Sequence, residues 1–207
     1  MIKTLIFDFG GVLINLDKEA CVSRYKQLGV SNVDKLLDNY IQSGVFLQLE
    51  QGEISLAEFH DKVRQLSGHN ISDKDIDDAF CAFLLDIPDK KMQKIKQLRS
   101  KYRIVMLSNT NELHFPMNSG KLVGGDYLIS DYFDHCYLSF QMHLSKPDSR
   151  IFQALLENEK VLAEECLFLD DGPQNIAAAQ KMGFNCFLVE NGLWVDEIDE
   201  LLQSLNK

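Results

Sequence analysis

An excess of positive charge is the first thing this 207-residue chain lacks: 21 Lys and Arg stand against 31 Asp and Glu, for a formal net charge of −10. That balance argues against a nucleic-acid partner, whose phosphate backbone asks for a basic surface. It does not argue against a small anionic ligand, which answers to local charge such as that of a bound metal. A disulfide or zinc pattern is missing too. The five cysteines (Cys21, Cys81, Cys136, Cys166, Cys186) are odd in number, scattered, and form no C-x-x-C, as expected of reduced, mostly buried thiols in a cytosolic protein. No apolar run approaches the length of a transmembrane helix. The single Lys and short apolar run before Asp8 are too little for a signal peptide. Repeats, low-complexity tracts and flexible linkers are absent as well. The expectation is a cytoplasmic protein with no membrane partner, long enough for one large domain or two small ones.

What is present is organised around Lys3–Leu13, KTLIFDFGGVL. Thr4–Phe7 is apolar and β-branched, which reads as a buried strand. It runs into Asp8 and is then broken by Gly10-Gly11. A carboxylate closing a buried strand is costly unless a cation or hydrogen-bond donors compensate it.

Between about Asp17 and Leu85 there is no convincing strand. Ala20, Tyr25 and Leu28 form one helical stripe, closed by Gly29. Ser31 or Asn32 caps an expected second helix with Val33, Leu36, Leu37, Tyr40 and Ile41 on one face. Leu56, Phe59, Val63 and Leu66 mark a third, with Ser55 as N-cap, Glu58 as its box partner and Gly68 at its end. Asp73–Leu85 is a fourth, stopped by Pro88. These helices predict a cap made of residues 17–88.

From Pro88 the rhythm becomes helix and strand in alternation. Lys90–Lys101, Ser149–Glu157 (capped by Asp148), Asn175–Met182 (with Gly183 after it) and Val195–Leu205 read as helices. Ile104–Leu107, Cys136–Leu138, Leu167–Leu169 and Cys186–Val189 read as strands, and 111–132 as a long loop. Alternation of this kind means βαβ units. The expected fold is α/β: a Rossmann-like parallel sheet with helices on both faces, formed by residues 1–16 and 89–207, plus the inserted four-helix cap.

The polar clusters follow strands: Asp8 after the first, Ser108-Asn109 after the second, Asp170-Asp171 after a later one, with Lys146 at a helix entry. In an open parallel sheet the carboxyl ends of the strands share one edge, so these groups can meet. Three carboxylates together repel unless a cation sits among them, and an all-oxygen set with room for water suits magnesium. A metal, a lysine, a hydroxyl and an amide around one carboxylate can hold a phosphoryl group that this carboxylate attacks.

The order IFDFGGV, MLSNT, SKPDSRIF, FLDDGPQNI resembles the haloacid dehalogenase superfamily of phosphohydrolases over essentially the whole chain. The strings EQGEIS, LSNTNELH and KPDSRIF are similar to the branch with bacterial α-D-glucose-1-phosphate phosphatases and to the phosphatase domain of bifunctional epoxide hydrolases. The resemblance implies Asp8 as the nucleophile that becomes an aspartyl phosphate. It implies Ser108 and Asn109 as phosphate-binding groups and Lys146 as the cation that neutralises nucleophile and phosphate. Asp8, Asp170, Asp171 and the Gly10 backbone carbonyl would hold Mg²⁺, with Asp171 the more direct of the two adjacent ligands.

One position departs from the pattern. Two residues after the nucleophile the family usually carries a second Asp as general acid and base, and here that residue is Gly10. The leaving oxygen's proton would then come from water or from the substrate. The implied function is a Mg²⁺-dependent phosphatase acting on a small phosphorylated metabolite such as a sugar phosphate, as a monomer or homodimer. A phosphomutase is disfavoured by Gly10 and a metal-free dehalogenase by Asp170-Asp171; a non-catalytic phosphometabolite-binding protein is the alternative from another class. His114, His135 and His143 are expected in surface or loop roles, Arg24 and Tyr25 in helix packing, and Glu50, Glu53 and Glu58 on a solvated face.

Overall fold

The computed structural model describes residues 1–38 and 42–207. In chain order the elements are β1 (Thr4–Phe7), α1 (Lys18–Gln27), α2 (Gly44–Glu50), α3 (Leu56–Ser67), α4 (Asp73–Cys81), α5 (Asp89–Leu98) and β2 (Arg103–Ser108), then α6 (Ile129–Tyr132) and β3 (His135–Leu138). They continue with α7 (Ser139–Met142), α8 (Ser149–Glu159), β4 (Cys166–Asp170), α9 (Pro173–Lys181), β5 (Asn185–Leu188) and α10 (Ile198–Leu205).

The strands form one parallel sheet in the order β3-β2-β1-β4-β5. β1 is central, so its side chains alternate between two cores. Leu5 and Phe7 enter a cluster with Met92, Ile95 and Trp194, and Ile6 enters the one on the other face with Phe152 and Phe168. Register places Phe7 beside Met106 and Leu169. The chain leaves all three strands at one level, and Asp8, Ser108 and Asp170 are neighbours by construction.

The helices between β1 and α5 bury a third cluster of their own, rich in rings: Tyr25, Phe46, Phe59 and Phe80. Phe46 meets the other three at centroid distances of 5.5, 5.5 and 5.2 Å. Ser55 and Glu58 form the expected capping box, and Gly68 ends α3 in the left-handed region, φ 70°. The segments entering and leaving this helical region pair with each other: Asp17 N–H donates to the Phe83 carbonyl at 2.8 Å and Leu85 N–H to that of Asn15 at 2.9 Å. That pairing stops α4 at Cys81, short of the expected Leu85.

The expected second helix is not formed. Only a 3₁₀ turn, Val33–Lys35, is present. The returning chain takes its carbonyls: Ser43 N–H donates to Leu36 O at 2.9 Å and Ser43 Oγ to Lys35 O at 3.2 Å. With those acceptors engaged, an i→i+4 ladder does not continue. Tyr40 and Ile41 lie outside the described residues. A helix instead occupies Gly44–Glu50, where none was expected. Elsewhere the strands match to within a residue or two, α10 starts at Ile198 rather than Val195, and the 111–132 segment holds one 3₁₀ turn and the short α6. No helix among the described residues is long and apolar enough to cross a membrane.

Candidate active site

Asp8 is held at the end of β1 by its backbone N–H, which donates to Leu169 O at 2.9 Å. Its Oδ1 accepts from Phe9 N–H at 2.7 Å and pairs with Lys146 Nζ at 2.9 Å. Its Oδ2 makes no hydrogen bond among the described residues. Burial raises the carboxyl to about 6 against the pull of Lys146, with Asp170 adding to the rise.

Lys146 is 2 % exposed and spends its three N–H bonds on Asp8, on Asp170 Oδ2 at 2.6 Å and on Leu107 O at 2.9 Å. Burial alone would lower its pKa, but Asp170 and Asp8 more than offset that and the net shift is upward. The ammonium is charged and fixed. Asn109 fixes its backbone: Asn109 Oδ1 accepts from Lys146 N–H at 2.8 Å and Asn109 Nδ2 donates to Lys146 O at 2.9 Å. The Asn109 amide, expected at the phosphate, is thus engaged by the loop that carries the lysine. Ser108 is buried beside it and lines the same cavity as Asp8 and Lys146.

The two adjacent aspartates differ. Asp170 is fully buried, and Oδ1 accepts from Gly172 N–H at 2.7 Å and Asn175 Nδ2 at 2.9 Å while Oδ2 takes Lys146. Asp171 accepts no hydrogen bond from another described residue, and burial with Asp8 and Asp170 nearby raises it to about 8. One oxygen each of Asp8, Asp170 and Asp171 lies within 4.8 Å of the others. A hard cation among them would offset the repulsion that lifts two of these groups. Gly11, at φ 68°, leaves the space: a Cβ there would come within 2.0 Å of Asp171 Oδ2. The donor set therefore fits magnesium. Gly10, whose carbonyl was expected to join the ligands, uses that oxygen to accept from Val12 N–H at 2.7 Å and retains its second lone pair.

Three groups in or beside the site escaped the sequence reading. Glu50, expected in solvent, is 8 % exposed and lines the cavity above Asp8. Glu53 and Glu58 are exposed as expected. His114 is buried against Phe80, centroids 4.1 Å apart, and also lines the cavity. Burial lowers it to about 4 against the opposing bond to Phe80 O, so the ring is neutral. Lys91 is buried beneath the turn after Asp8, with Nζ donating to Leu13 O at 3.3 Å. A signal existed for Glu50: it falls four residues after Phe46 and one after Leu49, on the apolar face of α2, and was missed because the helix was. Arg24 and Tyr25 serve packing, bonding the backbone carbonyls of Asp78 and Ile76.

The model of the haloacid dehalogenase-like hydrolases matches residues 2–183. The chain is 35% identical over 208 residues to a D-ribitol-5-phosphate phosphatase of Bacteroides thetaiotaomicron, covering 99% of this chain and 100% of that protein. Among solved structures it is similar to a haloacid dehalogenase family enzyme of the same bacterium, an aspartate-to-alanine mutant in complex with magnesium and inorganic phosphate. The TM-score is 0.90 and the identity 36%, over 96% of this chain and 99% of that one. A haloacid dehalogenase-like hydrolase of Porphyromonas gingivalis gives a TM-score of 0.89 at 37% identity, over 98% of both chains. The chain belongs to the haloacid dehalogenase-like hydrolases.

Proposed function

We propose that this haloacid dehalogenase-like hydrolase is a magnesium-dependent phosphatase that cleaves a small phosphorylated polyol or sugar through an aspartyl phosphate on Asp8. The chain is a phosphatase in its reaction class. One observation carries the mechanism: Asp8 lines the cavity with one oxygen clamped by Phe9 N–H and Lys146 and the other without a hydrogen bond among the described residues. Clamping one oxygen orients the carboxylate, and the other is available to attack phosphorus. Lys146, itself held by Asp170 and Leu107 O, offsets negative charge on nucleophile and phosphoryl group without moving. Ser108 lines the cavity where a phosphoryl oxygen would accept its hydroxyl.

Asp8 and Asp171, with Asp170 and the Gly10 carbonyl beside them, would hold Mg²⁺. When bound it supplies Lewis-acid stabilisation of the phosphoryl oxygens. Asp171 is the more direct ligand on this reading because Asp170 already serves Lys146, Gly172 and Asn175. The substrate class rests on the D-ribitol-5-phosphate phosphatase related along the full length and on a cavity that mixes Glu50 and His114 with the rings of Phe80 and Phe83.

The test is phosphate release from a panel containing D-ribitol 5-phosphate, other pentitol and pentose phosphates and glucose 1-phosphate, with Mg²⁺ and after chelation. Mg²⁺-dependent release from at least one polyol or sugar phosphate is expected. Release untouched by thorough chelation removes the metal from the reaction. Thermal stabilisation by these compounds without any release makes the chain a binding protein.

A further inference from the structure

The reaction proposed above breaks a bond to an alkoxide oxygen, and that oxygen needs a proton. Position 10, where a carboxylic acid would stand two residues after the nucleophile, is glycine. No polar group stands in for it there: a Cβ on Gly10 would meet only the δ-carbons of Leu16, at 3.4 and 3.8 Å. The proton must be sought among the other groups that line the cavity. Asp8 attacks, Asp171 belongs to the proposed cation site, and Lys146 has all three N–H bonds committed. His114 is neutral and its Nε2 is bonded to the Phe80 carbonyl. Glu50 remains.

Glu50 is held rather than loose. Phe46 and Leu49 anchor α2 in the aromatic cluster. The next residue, Gln51, donates from Nε2 to Ser145 Oγ at 2.8 Å, and His143 Nδ1 bonds Gln51 O at 3.1 Å. Gly52 permits this approach, since a Cβ there would meet Phe140 O at 2.2 Å. The end of α2 is thus tied to the residue before Lys146. The Glu50 carboxyl itself makes no hydrogen bond or ion pair with any described residue, although it is buried. An unpartnered buried carboxyl facing a catalytic cavity is costly, and its cost is met if it carries a proton and finds an acceptor there.

We propose that Glu50 is the general acid and base of this phosphatase, supplied by the inserted helices in place of the residue missing at position 10. This rests on the phosphatase reading above. In the first half-reaction an Asp8 oxygen bonds to phosphorus, the bond from phosphorus to the leaving oxygen breaks, and the Glu50 proton passes to that oxygen. The alcohol departs and Glu50 is left as the carboxylate. In the second, Glu50 takes a proton from water as the water oxygen bonds to phosphorus and the Asp8–phosphorus bond breaks. Phosphate leaves and Glu50 is protonated again. Burial, reinforced by Asp8, raises its pKa to about 8, which suits a proton donor near neutrality.

The experiment is a leaving-group series on Glu50→Gln and the unmodified protein with Mg²⁺: D-ribitol 5-phosphate, a sugar 1-phosphate and 4-nitrophenyl phosphate. A positioned acid contributes about 10²–10⁴-fold where the leaving group is poor. Glu50→Gln is expected to lose about 10²-fold or more of kcat/KM on ribitol 5-phosphate and less than about 3-fold on the aryl ester. An equal loss on all three, or none, overturns the proposal.

If Glu50→Gln does not fold, the unmodified protein answers the question through pH. The alkyl ester is expected to lose kcat/KM as pH rises through the titration of Glu50 while the aryl ester does not. Asp8, Asp171, Lys146 and His114 line the same cavity as this carboxyl, but they act on both esters alike, so the difference between profiles isolates Glu50. Parallel profiles overturn the proposal. Failure of the underlying phosphatase reading looks different: no phosphate is released even from 4-nitrophenyl phosphate.

Discussion

The strand-end edge of the sheet and the helical insertion that covers it are built on opposite terms. At the sheet edge the charged groups are dense and the supporting ones are spent on one another: Lys146 on three acceptors, Asp170 on three donors, Asn109 on the N–H and carbonyl of Lys146, while Asp8 Oδ2 and the Asp171 carboxylate stay open among the described residues. In the insertion the interior is rings packed edge to face, 5.2–5.5 Å apart around Phe46, and one buried carboxyl, Glu50, has no hydrogen bond or ion pair among the described residues. The first arrangement is rigid because breaking any bond strands a buried charge. The second is held by area and shape, which tolerate change in graded steps. The charged cluster therefore sits on the strand ends, and the insertion supplies walls and one acidic group.

Breaking the strand edge has the largest effect. Asp8→Asn preserves shape and removes the attacking anion, so turnover is expected to fall on the order of 10⁴-fold or more. Phosphate-release assays beside circular dichroism check this. Near-normal turnover by a variant free of deamidation would remove the covalent mechanism.

Breaking the insertion is expected to hurt stability before chemistry. Phe46→Ala empties the centre of the aromatic cluster and costs about 3–5 kcal/mol, read from urea unfolding. Where the variant remains folded, phosphorylation of Asp8 by an aryl ester persists. Loss of that reaction in folded protein would mean that the insertion takes part in the attack itself.

A pH experiment sharpens the contrast. Burial raises Asp8 to about 6, and Asp171 and Glu50 each to about 8. His114, lowered to about 4, opposes them in the lower half of the range, but three raised carboxyls outweigh one imidazole, so the folded state binds more protons than the unfolded chain between about pH 4 and 8 and metal-free stability falls as pH rises through that window. The melting temperature without metal is expected to drop from pH 5 to pH 8. Mg²⁺ removes most of the drop due to Asp8 and Asp171 and leaves of the Glu50 part only what burial causes. A metal-free melting curve flat in pH would contradict the charge crowding at the strand ends.

The smallest effect is Ser55→Ala. It removes the capping box of α3 and costs about 1 kcal/mol with kcat unchanged on every ester. A change in kcat would show that the site feels the far end of the insertion.

Much of the sheet was legible because its signals are local. Buried parallel strands are short apolar runs, and each is followed by the polar residues it carries to the shared edge. That shared edge is enough to bring Asp8, Ser108, Lys146, Asp170 and Asp171 together. The Asn109 amide is less legible, since only the fold reveals that the loop bearing Lys146 passes close enough to be clamped. The second helix failed for a similar reason: Val33 and Leu37 have helical spacing and are buried, but Ser43 returns to take the carbonyls the helix needed.

The sequence by itself determined where strands end in carboxylates, which glycines permit the turn after Asp8, and which serine caps α3. These follow from sterics, periodicity and hydrogen bonding within a few residues. Tertiary structure alone decided that Leu16 is the side chain beside Gly10, that His114 packs on Phe80, and that Glu50 lines the cavity of Asp8 instead of facing water. A glutamate at the end of a short helix is solvated or buried according to what packs against it. Here that neighbour, α7 and the segment that follows it to Lys146, is some ninety residues away in the chain.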